Sequence, residues 1–149
     1  MSSHVMVEVL MLRLDGSGGF GYRRAEDRLA GGTHPDEAAR VLADAGEILL
    51  HSTSWRYDDQ GHIVLTYAAC PDPHHHLPAV PVLPGPGAVA AAPDRPSPPT
   101  VTVDDVAAHA LRHLAWLSGS DPVTRDFVSA RPDLATALAR HAPAPAGQV

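Results

Sequence analysis

The chain has 149 residues, a formal net charge of −6 at pH 7 and a pI near 5.9. This length predicts one domain, and the acidic balance argues against a nucleic-acid partner, because a nucleic-acid-binding face must neutralise phosphates. The one cysteine, Cys70, excludes an intramolecular disulfide and is typical of a reducing compartment. No apolar run is long enough to span a bilayer, so we expect a cytoplasmic protein with no membrane partner.

The chain begins with the pattern of two paired strands followed by a helix. Residues 5–14 are almost continuously apolar, which predicts a strand buried on both faces in the middle of a sheet. The glycine-rich residues 15–19 predict a turn, and residues 19–24 predict a short strand that pairs back on the first. A proline followed by two acidic residues predicts a helix over residues 35–45, which we expect Gly46 to end.

Two apolar-rich runs joined by a polar turn then predict a hairpin, with strands at residues 47–55 and 62–69. A register that places Trp55 opposite His62 and His51 opposite Thr66 brings one polar set onto a single face. That set contains His51, Thr53, Trp55, His62 and Thr66, and Arg56 follows it in the turn. A slip of one residue would separate the set, because neighbouring residues of a strand point to opposite faces.

The second half of the chain changes from proline-rich to helical. Residues 73–100 hold too many prolines for a helix or a central strand, so they predict an extended wrap, with an edge strand at Val80, Val82 and Leu83. Residues 101–142 carry apolar stripes at helical spacing and predict a helical subdomain that ends in a helix over residues 132–141. We expect residues 143–149 to form a frayed tail, and residues 1–72 to form the core that contains the sheet.

Residues 31–46, GGTHPDEAARVLADAG, resemble the end of the Nudix box, in which a glycine-bounded loop leads into a helix that a glycine ends before a strand. The resemblance covers residues 5–70. With the other elements it predicts an α+β fold: a Nudix-like mixed sheet with one central helix, a proline-rich wrap and C-terminal helices. The C-terminal stretches AAHALRHLAWL and SDPVTRDF also resemble an uncharacterised bacterial family.

In Nudix hydrolases several carboxylates on this helix hold a divalent metal that activates water on a diphosphate. The matching positions of this chain are Ala39, Arg40, Ala43 and Asp44, so one carboxylate remains. One carboxylate is too few to hold a hard cation that prefers oxygen ligands. The usual diphosphate hydrolysis is therefore expected to be lost.

Histidines supply the candidate metal ligands. Asp105, His109 and His113 recur every four residues and lie on one helix face, and two histidines at this spacing can bind zinc. Residues 74–76 are three consecutive histidines that follow Cys70 and could bind a soft divalent metal. The simpler interpretations are packed or exposed histidines on the helix and a solvated loop at residues 74–76.

The hairpin supplies the candidate ligand-binding face, consisting of His51, Thr53, Trp55, Arg56 and Thr66. His51 and Ser52 point to opposite faces of a strand, which excludes a nucleophile and base formed by these neighbours. Arg56 at the rim of the face is suited to bind an anion. The simpler interpretation is an ordinary hairpin with a polar surface.

Three hypotheses about function follow. The first is a catalytically degenerate Nudix-like module that binds a small anionic ligand or acts as an accessory protein. The second is a divergent enzyme that uses His51 and Arg56, with a divalent metal held by His109 and His113. The third is an interaction protein that forms a homodimer through its C-terminal helices.

Overall fold

The computed structural model describes residues 4–44, 48–82 and 101–148. Within these ranges the chain forms a six-stranded mixed sheet and four helices, which confirms the predicted α+β class. The strands are β1 (Val5–Leu14), β2 (Phe20–Arg28), β3 (Leu49–Tyr57), β4 (Ile63–Cys70), β5 (Val80–Val82) and β6 (Gly147–Gln148). The helices are α1 (Pro35–Ala43), α2 (Val103–Ser120), α3 (Pro122–Ser129) and α4 (Pro132–Leu138). None of these helices is both long enough and apolar enough to cross a membrane.

The strand β1 lies inside the sheet, as its apolar sequence predicts. The strand order is β5-β2-β1-β4-β3-β6, and β1 runs parallel to β4 but antiparallel to β2. Val9 and Leu10 are adjacent in β1, point to opposite faces and are both fully buried. The parallel pairing of β1 with β4 brings the carboxyl ends of these two strands to the same end of the sheet.

Each face of the sheet has its own apolar core. On one face, α1 packs through Ala39 and Ala43 against Val7, Val9 and Met11 of β1. On the other face, α2, α3 and α4 pack against the sheet. That second core includes Leu10, Leu12, Phe20, Val106, Leu111, Leu114, Val128, Leu134 and Leu138. The apolar stripe of α2 is therefore buried against the sheet of its own chain.

Several predicted boundaries move in the structure. The strand β2 continues to Arg28 instead of ending at residue 24, and the last helix ends at Leu138 instead of residue 141. The helix α1 ends at Ala43, because Asp44 adopts a left-handed conformation with φ 51° that stops the helix. Gly46, the predicted terminator, lies outside the described residues. The same is true of Leu83 and of the rest of the proline-rich segment up to residue 100.

The predicted hairpin forms, but the predicted register is wrong. His51 pairs with Ala68 and Trp55 pairs with Leu65, and the register shifts between Ser52 and Ser54. The shift is a β-bulge, in which one extra residue of β3 faces β4 without a partner of its own. The extra residue reverses the alternation of side chains, so His51 and Trp55 lie on opposite faces of the sheet.

The C-terminal residues are held in place, so the prediction of a frayed tail is wrong for residues 144–148. The backbone N–H of Ala144 donates to the carbonyl oxygen of Arg112 at 3.1 Å. Beyond it, β6 pairs in parallel with β3 at Ser54 and Trp55. Backbone hydrogen bonds rather than apolar side chains fix this segment, which is why its composition gave no signal of it.

The burial of α2 leads to a test of the second core. Replacing Leu111 by Ala leaves a cavity beneath α2 and should lower the free energy of unfolding by about 2–5 kcal/mol. Urea denaturation measures this loss. The matched control is Val123→Ala in α3, where the side chain is 70% exposed, and its effect should stay within about 0.5 kcal/mol. Equal effects of the two substitutions would contradict the packing of α2 on the sheet.

Candidate functional site

The bulge places residues of the predicted ligand-binding face on opposite faces of the sheet. Trp55 lies on the face of the sheet opposite His51 and contacts Tyr57 edge-on, with ring centroids 5.6 Å apart. Thr53 is the extra residue of the bulge and is fully buried, and its hydroxyl donates to the carbonyl oxygen of Thr66 at 3.4 Å. Of the five predicted residues, only Arg56 and Thr66 bond to each other through their side chains.

Arg56 and Thr66 meet around Glu8, a buried carboxylate that the sequence interpretation overlooked. Two nitrogens of Arg56 donate to the Glu8 carboxylate at 2.8 and 3.1 Å, and the Thr66 hydroxyl donates to it at 2.7 Å. Arg24 of β2 donates through Nε. Burial alone would raise the pKa of Glu8, but the bonds and charge of Arg56, with Thr66 and Arg24, outweigh it and lower that pKa.

The Glu8 carboxylate therefore neutralises the positive charge of Arg56 inside the protein. Arg56 has 12% of its side chain exposed, and Glu8 has none. An anion that approached Arg56 would have to compete with a carboxylate already bonded to it in bidentate fashion. The cluster acts as a structural clamp across β1, β2, β3 and β4. Its one sequence signal was an acidic residue inside the apolar run 5–14.

His51 bonds to α3 rather than to a ligand. The hydroxyl of Thr124 donates to the Asp121 carboxylate at 2.7 Å, and its oxygen accepts from Nε2 of His51 at 2.9 Å. His51 is thus the donor, and the hydroxyl lies between it and the carboxylate. A general base would have to accept a proton from the hydroxyl, so the order of the three groups is not that of an activated nucleophile.

The two predicted metal ligands on α2 bond to separate backbone carbonyls. Nε2 of His109 donates to Thr53 in the bulge at 3.2 Å, and Nδ1 of His113 donates to Ala144 at 3.0 Å. The ring of His113 also stacks on Trp116. Burial lowers the pKa of His109 and of His113, which favours neutral rings. These bonds hold the bulge and the C-terminal segment against α2.

The second predicted metal site does not assemble around the histidine run either. Nε2 of His74 lies 2.9 Å from the carboxylate of Asp44, at the end of α1. Cys70 is buried in the core between the sheet and α2, α3 and α4, where burial raises the pKa of its thiol to about 12. Among residues 4–44, 48–82 and 101–148, no group of three or more His, Cys, Asp or Glu residues is placed to hold a metal ion.

A cavity of about 340 Å³ lies at the shared end of β1 and β4, beneath the start of α4. Its apolar walls are formed by Leu14, Cys70, Pro71, Pro132 and Leu134. Its charged groups are Arg13, Arg131 and Asp133. We call this cavity the arginine pocket. Cys70 and Leu134 are buried and form its base, whereas both arginines reach solvent.

Both arginines of the pocket are held by their surroundings. Arg13 donates to the carbonyl oxygens of His74 and Leu77 and pairs with Asp72 at 3.5 Å. The guanidinium of Arg131 lies 3.5 Å from the centroid of the Phe127 ring, and its Nη1 donates to the Phe127 carbonyl oxygen at 2.9 Å. These contacts already restrict the conformations of both side chains. Binding of a ligand would therefore cost little additional side-chain entropy.

Asp72, in the loop after β4, is the carboxylate that pairs with Arg13. It is buried and accepts two bonds from Arg23, at 2.9 and 3.1 Å, in addition to its contact with Arg13. Burial would raise its pKa, but the bond to Arg23, with the His74 N–H and Arg13, outweighs burial and lowers it. Two guanidinium groups thus share the carboxylate of Asp72.

Two other depressions are less suited to an anion. One, of about 650 Å³, is lined by Glu26, Asp27, Asp58 and Asp59, whose charges repel anions. The other, of about 330 Å³, lies beside α1 and mixes Arg28 with Asp27 and Glu37. The arginine pocket combines an apolar base with the nearby guanidinium of Arg131, and this combination makes it the candidate functional site.

In comparisons with known proteins, no family model, no curated protein and no solved structure matched the chain.

The buried clamp leads to a prediction about stability. Replacing Glu8 by Gln leaves Arg24 and Arg56 without their shared carboxylate, and should lower the free energy of unfolding by about 3 kcal/mol. The matched control is Glu26→Gln, because Glu26 also pairs with Arg24 but has 39% of its side chain exposed. Its effect should stay below about 1 kcal/mol. Chemical denaturation at neutral pH compares the two, and a Glu8→Gln protein as stable as the control would contradict the clamp.

The buried histidines lead to a prediction about pH. Burial holds the pKa of His51, His109, His113 and His141 below the ordinary value of 6.5, so the folded protein keeps these rings neutral. The unfolded chain takes up protons first, so their stabilising effect is complete above about pH 6.5 and is lost as the pH falls towards the lowered values. Glu8 and Asp72 stay ionised above about pH 5, because their pKa values are also lowered.

Urea denaturation at about pH 7.5 and about pH 5.5 tests this dependence. The wild-type protein should be less stable at the lower pH. His109→Gln keeps an N–H donor for the Thr53 carbonyl but cannot take up a proton, so it should lose less stability over the same interval. A free energy of unfolding that is equal at both pH values would contradict the prediction.

Proposed function

We propose that the protein is a catalytically degenerate Nudix-like module that binds a small organic ligand in the arginine pocket. The observation that carries the proposal is the pocket itself. It is a cavity of about 340 Å³ with an apolar base, and Arg131, held by Phe127, is a charged residue of its lining. Small-molecule sites are mostly apolar cavities of about 300–1,000 Å³ with a few placed polar groups.

The position of the pocket supports the proposal. Ligands of sheets that contain parallel strands commonly bind beyond the carboxyl ends of those strands. In this protein β1 and β4 are the parallel pair at the centre of the sheet, and Leu14 and Cys70 are their last residues. The pocket lies where those two ends meet.

Two carboxylates at the ends of α1 are already bonded to other side chains, which supports a degenerate site. Asp36 accepts a hydrogen bond from the hydroxyl of Tyr67, and Asp44 pairs with His74. Positions 39, 40 and 43, where the resemblance places acids or their partners, hold alanine or arginine. The order of β1, α1 and the hairpin of β3 and β4 agrees with the resemblance. The proposed setting is the bacterial cytoplasm, with Cys70 as a buried free thiol.

The two alternatives have less support. In the enzyme hypothesis His51 and Arg56 would do the chemistry, but these side chains bond to Thr124 and Glu8. A homodimer through the C-terminal helices stays a prediction. Its apolar surface would have to include Trp116 and Val123, which are 42% and 70% exposed.

Blocking the pocket tests the proposed function. Leu14 is 38% exposed at the mouth, so Leu14→Trp should place an indole there without disturbing the core. A panel of small organic acids, alcohols and amines is screened by thermal unfolding. A binding compound at ten times its Kd should raise the free energy of unfolding by about 1.4 kcal/mol, which corresponds to about 3–6 °C in Tm.

The Tm increase should disappear in Leu14→Trp and persist in the control Val123→Trp, whose side chain lies on the surface of α3. The proposal also expects no magnesium-dependent hydrolysis of nucleoside diphosphates by the wild-type protein. Stabilisation that survives in Leu14→Trp would place the ligand elsewhere and contradict the proposal, and so would turnover of a nucleoside diphosphate.

A further inference from the structure

Residues 144–148, the C-terminal segment, lie in a groove between the outer edge of β3 and the helix α2. We infer that this groove is a docking site for an extended segment of another polypeptide that carries serine or threonine at the position of Gly147. The C-terminal segment is then the weaker occupant of the same site. The inference is independent of the arginine pocket, because the groove lies at the edge of the sheet and the pocket lies at the end of β1 and β4.

The C-terminal segment is held in the groove through its backbone. The N–H of Ala144 donates to the carbonyl oxygen of Arg112, and the carbonyl oxygen of Ala144 accepts from Nδ1 of His113. Beyond Ala144, β6 pairs in parallel with Ser54 and Trp55 of β3. The two prolines on either side of Ala144 are exposed. Backbone bonds of this kind do not depend on side chains, so an extended segment of another polypeptide can form the same bonds.

A buried hydroxyl of β3 lacks a partner beside the C-terminal segment. Ser54 is 5% exposed, and its hydroxyl forms no hydrogen bond with any of the described residues. Ser54 pairs with Thr66, whose hydroxyl donates to Glu8, so all three side chains lie on the face of the sheet that α2 covers. Buried polar groups are nearly always hydrogen-bonded, and leaving one without a partner is unfavourable. The groove therefore contains a polar group that its present occupant does not satisfy.

Gly147 is the residue of the C-terminal segment that pairs with Ser54. Paired residues of neighbouring strands direct their side chains to the same face, and the strands are about 4.8 Å apart. Gly147 has no side chain, and a β-carbon built on it would meet none of the described residues within 4 Å, apart from its chain neighbours. Hydroxyl side chains on such a pair can form a hydrogen bond with each other. A strand with serine or threonine at this position would therefore form the bond that Gly147 leaves unmade.

The strand propensities of these residues favour the same exchange. Threonine is common in strands, whereas glycine in a strand is unfavourable because it loses more conformational freedom and has no side chain to pack. The C-terminal segment nevertheless occupies the groove because it is attached to the protein. A short flexible attachment gives an effective concentration of about 1 mM. The segment thus covers an edge strand that would otherwise be open, until a strand of higher affinity displaces it.

Titration of the full chain with two fluorescent peptides tests this inference by anisotropy. Both peptides have the sequence of residues 142–149, with serine in one and alanine in the other at the position of Gly147. The protein is the variant Ala144→Pro, which lacks the N–H that donates to Arg112 and so weakens the attached competitor. The serine peptide should bind about fivefold more tightly than the alanine peptide, because one hydrogen bond is worth about that factor. Ser54→Ala in the same variant should remove the preference, and the wild-type protein should bind both peptides more weakly.

A second measurement leaves the C-terminal segment in place. Gly147→Ser supplies the hydroxyl within the chain itself, and Gly147→Ala is the matched control that supplies the β-carbon alone. Hydrogen exchange of the Ala144 N–H should be about fivefold slower in Gly147→Ser than in Gly147→Ala, because the added hydrogen bond opposes release of the segment. Adding Ser54→Ala to both variants should make the two rates equal.

Equal affinities of the two peptides would overturn the inference, and so would a preference that survives Ser54→Ala. Absence of binding by both peptides to an Ala144→Pro protein that unfolds cooperatively would also overturn it. If Ala144→Pro does not fold, the exchange rates decide, and equal rates in Gly147→Ser and Gly147→Ala overturn the inference. Sedimentation of the wild-type protein tests the remaining occupant. A concentration-dependent dimer that Ala144→Pro abolishes would assign the groove to the C-terminal segment of a second copy and contradict the inference.

Discussion

The structure depends on the burial of β1 on both faces. Val7, Val9 and Met11 pack under α1, while Leu10 and Leu12 pack under α2 and its neighbours. Helices cover β1 on both faces, and β1 lies inside the sheet between β2 and its parallel partner β4. This arrangement brings Leu14 and Cys70 to one end of the sheet, where they line the arginine pocket.

The same constraint explains the buried clamp. Glu8 lies in the strand that is most thoroughly removed from water, where an unpaired carboxylate would be costly. Thr66 and two arginines from β2 and β3 satisfy it, so four strands are joined by one charged cluster. The clamp contains Arg56, the residue that the sequence analysis had assigned to binding an anion. The predicted ligand face was therefore polar for a structural reason.

Local patterns were sufficient to predict most of the elements. An apolar run predicted β1, and a proline followed by two acidic residues predicted the start of α1. The bulge at Thr53 was not predictable, because residues 51–54 are all polar and no alternation of polar and apolar residues marks the register there. The partners of Glu8 were not predictable either, since they lie 16, 48 and 58 residues away and the pairing depends on the strand order.

The arginine pocket was beyond local reasoning for the same reason. Three separated segments, residues 13–14, 70–71 and 131–134, line it, and none of them carries a recognisable motif. The pocket forms because β1 and β4 are paired in parallel and α4 lies over that end of the sheet.

The most direct test of the account is the location of the bound ligand. Two-dimensional NMR of ¹⁵N-labelled protein, titrated with a compound that raises the Tm of the wild-type protein in the thermal screen, reports the backbone amides that the ligand affects. The account predicts that the largest shift changes occur at Leu14, Cys70, Arg131 and Leu134, around the arginine pocket. Changes centred on residues 51–66 of the hairpin, with the amides of the pocket unaffected, would contradict it.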